Sequence, residues 1–138
     1  MLTNPVLVDT DVMVDFLRGQ PKAVALVQAQ SVRIILSSIV VAELYAGVRG
    51  DDELNTLDRL IGLFRVVPVS PNLARVAGLY KRDFGKSHGV GLADAFIAAT
   101  VEAEHATLET LNTRHYPMLK GVKPAYTKMV GGHTDVPG

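Results

Sequence analysis

Short apolar segments alternate with segments of helical periodicity along most of this 138-residue chain. The apolar run at 6–8 is followed at once by Val12, Phe16 and Leu17, which share one face of a helix that ends at Gly19. Such alternation favours an α/β fold, in which a parallel sheet is covered by helices on both faces. The predicted strands are 6–8, 32–36, 66–69, 106–112 and 122–126, with 66–69 and 122–126 at sheet edges. The other predicted helices are 21–30, 39–50, 51–64, 71–87 and 92–104.

Composition indicates one compact domain. Hydrophobic residues make up 48% of the chain, which is enough for a sizeable core at this length. We expect residues 1–130 to form the domain and 131–138 to be a flexible tail. Cysteine is absent, so disulfides and thiolate metal sites are excluded. No run approaches the ~18 apolar residues that a membrane span needs, so we expect a cytoplasmic protein with no membrane contact.

Acidic residues lie at three junctions at which predicted helices begin. Asp9 and Asp11 follow the first strand, Glu43 lies about one turn into the helix after the second, and Asp94 lies in the first turn of the helix at 92–104. In a parallel sheet with right-handed crossovers, these junctions open on one edge. Converging carboxylates repel one another unless a cation lies between them. Oxygen ligands select hard ions such as Mg²⁺, which is well suited to phosphate chemistry.

Each acid also has an ordinary structural explanation. Asp9 or Asp11 alone is a good helix N-cap, and Asp94 in a first turn interacts favourably with the helix dipole. Glu43 is equally compatible with a solvated helix face. We assign Asp15 to a solvated helix face as well.

Three segments, in order, resemble the PIN domain, and most closely the small VapC-type toxins of bacterial toxin–antitoxin pairs. They are "VLVDTDVMVDFLRG", "ILSSIVVAELYAGV" and "GLADAFIAATVEA". The resemblance extends from about residue 5 to residue 126. It implies a PIN-like α/β/α sandwich around a mainly parallel sheet of four to five strands.

The resemblance also implies a Mg²⁺-dependent ribonuclease, with Mn²⁺ as a possible substitute, that a cognate VapB-type antitoxin inhibits. A homodimer is implied too, with the apolar middle helices as its candidate contact. By position, the acids that bind metal and carry catalysis are Asp9, Glu43 and Asp94. The residues expected to support them are Thr10, Asp11 and Ser38.

The late stretch "ETLNTRHYPML" departs from the family pattern. It resembles a T-x-N-x-x-x-F region, with Asn112 where Asp or Asn is usual and His115 where another acid often stands. A second metal ion therefore lacks its matching carboxylate. We expect Asn112 to position water or phosphate and His115 to contact RNA.

Net charge is zero, which counts against a strongly nucleic-acid-binding surface. Between residues 110 and 134, however, every charged residue is basic. These residues suit a bound phosphodiester, and they equally suit a solvated edge that prevents aggregation. The candidate RNA contacts are Arg18, Arg49, Lys86 and Arg114.

Two other functions remain open from sequence. A haloacid-dehalogenase-type phosphatase shares the opening "VLVDTDV", although the chain is short for that fold and its late acid, Asp94, is single. A non-catalytic PIN-like module that binds RNA or antitoxin is compatible with the missing fourth acid.

Overall fold

The computed structural model describes residues 4–128. Its centre is a four-stranded sheet in which each neighbouring pair of strands is parallel. β1 and β2 are central and buried along their whole length, as expected for strands covered on both faces. The strands are β1 (Val6–Val8), β2 (Ile34–Ser37), β3 (Arg65–Val67) and β4 (Thr107–Glu109), in the order β3-β2-β1-β4.

Within the described residues, six helices flank the sheet, so the predicted α/β fold with a parallel sheet is confirmed. A 3-10 turn, Thr113–His115, follows β4. Helix α5 begins at Pro71, as predicted, and the hydroxyl of Ser70, its N-cap, accepts a hydrogen bond from Leu73 N at 3.1 Å. The helices are α1 (Thr10–Leu17), α2 (Pro21–Gln30), α3 (Ser38–Ala46), α4 (Gly50–Ile61), α5 (Pro71–His88) and α6 (Leu92–Glu104).

Helix α6 lies between two clusters of buried apolar side chains. Ile97 and Val101 belong to the main core around the sheet, whereas Ala95 and Ala99 belong to a second cluster shared with α5. Burying an aliphatic side chain contributes about 1.5–3 kcal/mol, so contacts on two sides hold this helix firmly. Asp94, in its first turn, is therefore presented from a rigid support.

The predicted last strand at 122–126 is not a strand. A single bridge joins Thr110 to Pro124, and the one hydrogen bond there runs from Ala125 N to Thr110 O at 2.8 Å. Proline has no N–H to donate, so a regular ladder cannot continue through this position. In the part of the chain that the structure describes, the sheet therefore has four strands, and β3 forms one edge as predicted.

Helix α3 ends earlier than the sequence predicted. The expected helix ran to Gly50, but the structure ends it at Ala46, with Gly47 as the C-cap. Gly50 instead begins α4 with φ of 75°, a left-handed conformation that glycine adopts without a Cβ clash. Gly47 therefore ends α3 and Gly50 begins α4, whereas the sequence predicted that the first of these helices would continue to Gly50.

The assignment of Asp15 to a solvated face is wrong. Its side chain is buried, and its carboxylate accepts hydrogen bonds from Tyr126 Oη at 2.7 Å and from Lys128 Nζ at 3.0 Å. The segment after Pro124 therefore lies against α1 and covers this acid. Sequence periodicity within α1 could not show this, because the covering residues come from more than a hundred positions later.

The predicted tail at 131–138 lies outside the described residues. Within residues 4–128, no helix combines the length and the apolar character needed to cross a membrane.

Candidate functional site

Asp9 is the buried centre of the carboxyl edge of the sheet. It directly follows β1, is 6% exposed, and is the N-cap of α1. Three donors bind its carboxylate. Oδ1 accepts from Thr10 N at 2.8 Å, and Oδ2 accepts from Thr110 Oγ1 at 2.9 Å and Tyr116 Oη at 2.7 Å. Asp9 therefore caps its helix and is also fixed from the far end of the chain.

Asp94 approaches Asp9 across the Tyr116 hydroxyl. Tyr116 Oη lies 3.3 Å from Asp94 Oδ1, and its shorter contact is the 2.7 Å bond to Asp9. On its other side, Asp94 Oδ2 lies 3.0 Å from His115 Nδ1. Burial, and then the charge of Asp9, raise the pKa of Asp94 above its ordinary value. The two acids therefore share one small region of concentrated negative charge.

Asp11 anchors the chain that leaves β4. Its Oδ2 accepts from Leu111 N at 3.0 Å, and its Oδ1 accepts from Val12 N at 2.7 Å. Burial, followed by the charge of Asp9, raises the pKa of Asp11 to about 6. Both of its oxygens accept backbone hydrogen bonds, so this acid holds the loop that carries Thr110.

Glu43 does not touch the other acids directly. It is exposed on α3, and its Oε1 accepts a hydrogen bond from Thr10 Oγ1 at 2.6 Å. Because Thr10 N also binds Asp9, this threonine links the exposed acid to the buried one. In the predicted convergence of three acids, Tyr116 thus links Asp9 to Asp94, and Thr10 links Asp9 to Glu43.

A groove of about 460 Å³ opens beside Glu43, between α1, α3 and α4. Its apolar lining includes Val14, Leu44 and Leu57. Charged side chains of both signs also line it: Arg18, Glu43, Arg49, Asp52 and Glu53.

Comparison with known proteins identifies the family. A sequence model of the PIN domain matches residues 6–118. The chain belongs to the PIN-domain family. It is 40% identical to Ribonuclease VapC10 of Mycobacterium tuberculosis over 131 residues, covering 93% of this chain and 96% of that protein. It is 37% identical to Ribonuclease VapC19 of the same species over 124 residues, covering 87% and 98%.

The fold of this PIN domain is also seen in solved structures. One chain of a toxin–antitoxin complex from Klebsiella pneumoniae superposes with a TM-score of 0.74 at 22% identity, covering 88% of this chain and 98% of that one. The family match removes the haloacid-dehalogenase-type phosphatase as an alternative, because that enzyme class has a different fold.

The other residues that the sequence predicted for the site of this PIN domain lie in several different parts of the structure. Ser37, rather than Ser38, caps α3, and the Ser38 hydroxyl donates to Val67 O in β3 at 3.2 Å. Asn112 Nδ2 lies 2.7 Å from His115 Nδ1, which places both residues beside Asp94. Among the RNA candidates, Arg18 and Arg49 line the groove, while Lys86 is exposed in the last turn of α5 and Arg114 is exposed in the 3-10 turn.

Sequence reasoning missed the two hydroxyls that bind Asp9 Oδ2. Both lie in the stretch "TLNTRHY", where the sequence analysis assigned roles to Asn112, Arg114 and His115. The signal for Thr110 was its place at the first position of that T-x-N pattern, and the structure pairs Val8 with Glu109, so the residues that follow them, Asp9 and Thr110, are adjacent. The signal for Tyr116 was its place at the aromatic position of the T-x-N-x-x-x-F pattern, and its side chain is almost fully buried.

The carboxylates of this PIN domain fit a hard divalent cation. Among residues 4–128, no three His, Asp or Glu side chains form a preassembled metal cluster. Two carboxylates are close, however, and neither Asp9 nor Asp94 forms an ion pair with a Lys or Arg of that part of the chain. Mg²⁺ commonly uses one or two protein carboxylates and keeps several waters. The donor set therefore suits one such ion.

Proposed function

We propose that this chain is a metal-dependent endoribonuclease of the VapC type, which hydrolyses RNA phosphodiester bonds. One observation carries the proposal: Asp9 and Asp94 are held together across a single hydroxyl at the carboxyl edge of the sheet, with no Lys or Arg within residues 4–128 paired to either. The relatives named Ribonuclease VapC10 and VapC19 cover nearly the whole chain and support the same reaction class.

Asp9 and Asp94 would hold the cation, with Mg²⁺ as the expected ion and Mn²⁺ as a possible substitute. Glu43, joined to Asp9 through Thr10, would approach it from the exposed side. A divalent cation at such a site supplies a Lewis acid that activates water and neutralises phosphate charge.

The chain's own residues position these acids. Thr110 and Tyr116 fix Asp9, while Asp11 holds the backbone at Leu111. Such supporting contacts typically matter about 10- to 100-fold for metal affinity or activity. At the rim, Asn112 would position water or phosphate, and His115 would contact RNA. Because water is the nucleophile, the ribose 2′-OH is dispensable, and products should carry no 2′,3′-cyclic phosphate.

Regulation would follow the toxin–antitoxin pattern. We place a cognate VapB-type antitoxin as the inhibitor and a homodimer as the expected assembly, acting in the cytoplasm. Arg18 and Arg49, in the groove next to Glu43, and Arg114, beside His115, are the proposed RNA contacts nearest the acids. Lys86, in the last turn of α5, would contact only an RNA that extends beyond these residues.

The decisive experiment is RNA cleavage by purified protein with Mg²⁺ and with a chelator. Asp94→Asn should reduce cleavage by at least about 100-fold, because it removes one of two carboxylates that would hold the cation. Asp51→Asn is the matched control, since Asp51 is exposed in α4. Circular dichroism would confirm that both variants fold. Cleavage that persists in chelator, or in Asp94→Asn, would contradict the proposal and favour a non-catalytic binding module.

A further inference from the structure

A second pocket, of about 420 Å³, opens along the outer edge of β4. Its volume is within the range of about 300–1,000 Å³ that is typical of small-ligand pockets. One wall is β4, and another is the segment 119–124, which is joined to the end of the strand by the bridge between Thr110 and Pro124. The apolar part of the lining includes Val101, Leu108, Leu119 and Val122. The pocket therefore offers apolar surface against which a flat ring can pack.

Glu109 lines this pocket and is half-buried. Burial raises the pKa of its carboxyl group above the ordinary value, and no hydrogen bond or ion pair within residues 4–128 offsets that effect. A carboxylate that loses water on folding and gains no donor carries a desolvation cost. A ligand that brings N–H donors to Glu109 would relieve that cost.

Two exposed lysines, Lys120 and Lys123, also line the pocket. Neither forms an ion pair in the described part of the chain, whereas Lys128 is paired with Asp15. Unpaired exposed lysines attract the phosphates of nucleic acids. The pocket thus combines an apolar wall, a half-buried acceptor and two cations, which together suit a nucleotide.

The pocket adjoins the acids at the carboxyl edge of the sheet. Glu109 directly precedes Thr110, whose hydroxyl donates to Asp9, and Glu109 O accepts a hydrogen bond from Asp9 N at 3.0 Å. A nucleotide in the pocket and the phosphate proposed to lie at the acids can therefore belong to one RNA strand.

We propose that this pocket binds a guanine base of single-stranded RNA, with Glu109 recognising the base and with Lys120 and Lys123 contacting the adjoining phosphates. A carboxylate only accepts hydrogen bonds, and it has two oxygens with which to do so. Guanine alone among the four RNA bases presents two neighbouring donors, N1–H and the N2 amino group, on its Watson–Crick edge, by which proteins recognise unstacked bases. Adenine and cytosine place an acceptor beside their amino group, and uracil places a carbonyl on each side of N3–H. The inference rests on RNA as the substrate of the proposed function and adds a base preference to it.

The test measures the binding of three fluorescent RNA heptamers, UUUGUUU, UUUAUUU and UUUCUUU, by anisotropy with EDTA present. We expect wild-type protein to bind UUUGUUU about tenfold more tightly than the other two, the scale of a bidentate contact between a side chain and a base. Glu109→Gln, which keeps the size of the side chain and loses its charge and one acceptor, should bind all three equally. Glu104→Gln is the matched control, because it removes the same charge, but its carboxylate is paired with Arg65 of β3, at the opposite edge of the sheet.

The lysines are tested by the double variant Lys120→Gln/Lys123→Gln. It should bind all three heptamers more weakly, to the same extent, and keep the preference for UUUGUUU, because phosphate contacts carry no base information. Unweakened binding by this variant would overturn the role of the lysines.

Equal binding of the three heptamers by wild-type protein would overturn the inference, as would a preference for guanine that persists in Glu109→Gln. If Glu109→Gln does not fold, UUUIUUU, in which inosine lacks the amino group of guanine, must bind wild-type protein more weakly than UUUGUUU does; equal binding would overturn the inference. Protein that prefers guanine but does not cut RNA with Mg²⁺ would contradict the proposed function alone. Protein that cuts RNA but binds the three heptamers equally would contradict the guanine pocket alone.

Discussion

The acids at the carboxyl edge are supported in two different ways. Asp9 is buried, and its carboxylate receives three hydrogen bonds, two of them from residues more than a hundred positions away. Glu43 is exposed, and the hydrogen bond that Thr10 donates holds it. A buried polar group left without a partner costs about 1–3 kcal/mol, whereas an exposed one turns to water. The position of the Asp9 carboxylate is therefore fixed by the folded structure, whereas the exposed Glu43 side chain can change its conformation.

We expect the largest effect on stability and cleavage from a substitution at Thr110, which supports the buried Asp9. Thr110→Val keeps the shape and removes the hydroxyl that donates to Asp9 and accepts from Asn112 N. We expect the free energy of unfolding to fall by about 1–3 kcal/mol, and cleavage to fall with it. Urea denaturation and RNA cleavage would measure the two effects.

Thr100→Val is the matched control for Thr110→Val. Thr100 is also buried, but its hydroxyl donates to Phe96 O within α6. The Thr100→Val variant should lose some stability, while cleavage by the folded protein stays near the wild-type rate. Equal losses of cleavage in the two variants would show that Thr110 acts through general stability and not through Asp9.

A smaller and more selective effect is expected at Glu43. Glu43→Gln should reduce cleavage by about 10- to 100-fold and leave the melting temperature unchanged, because the side chain is exposed and contributes little to folding. Glu53→Gln, on the rim of the same groove, is the control and should cleave normally. A large drop in melting temperature for Glu43→Gln would show that Glu43, like Asp9, contributes to the stability of the fold.

The smallest effect is a dependence of stability on pH from Asp11. Its pKa is raised from 3.8 to about 6, so the folded protein binds this proton more tightly than the unfolded chain does. The stabilisation that this difference in pKa contributes is fully present below pH 3.8 and is lost as the pH rises through about 6. Urea midpoints of metal-free protein should therefore fall between about pH 4 and pH 7.

Asp11→Asn should flatten that pH dependence, because the amide does not titrate in this range. Asp51→Asn, at an exposed position, should keep the wild-type slope. An unchanged slope in Asp11→Asn would mean that other acids with raised pKa values, such as Asp94 and Glu109, account for the trend.

Much of the architecture could be predicted from local patterns. The strand at 6–8 and the helix at 92–104 have the predicted bounds, because an apolar run followed by Asp, and a long apolar helix after two glycines, are strong local signals. The strand at 122–126 was wrongly predicted, since a short apolar segment with a proline can bridge a neighbour without forming a ladder. Asp15 was misplaced because the residues that bury it come from the far end of the chain.

The sequence by itself determined the alternation of strands and helices, and therefore that the acids following β1 and β2 lie at the carboxyl edge of a parallel sheet. That inference needed only local periodicity and the handedness of crossover connections. Tertiary structure alone decided how those acids are held: Asp9 by Thr110 and Tyr116, Asp94 by its closeness to both Tyr116 and His115, and Glu43 only through Thr10. Contacts across a hundred residues depend on how side chains pack in three dimensions, which no local pattern encodes.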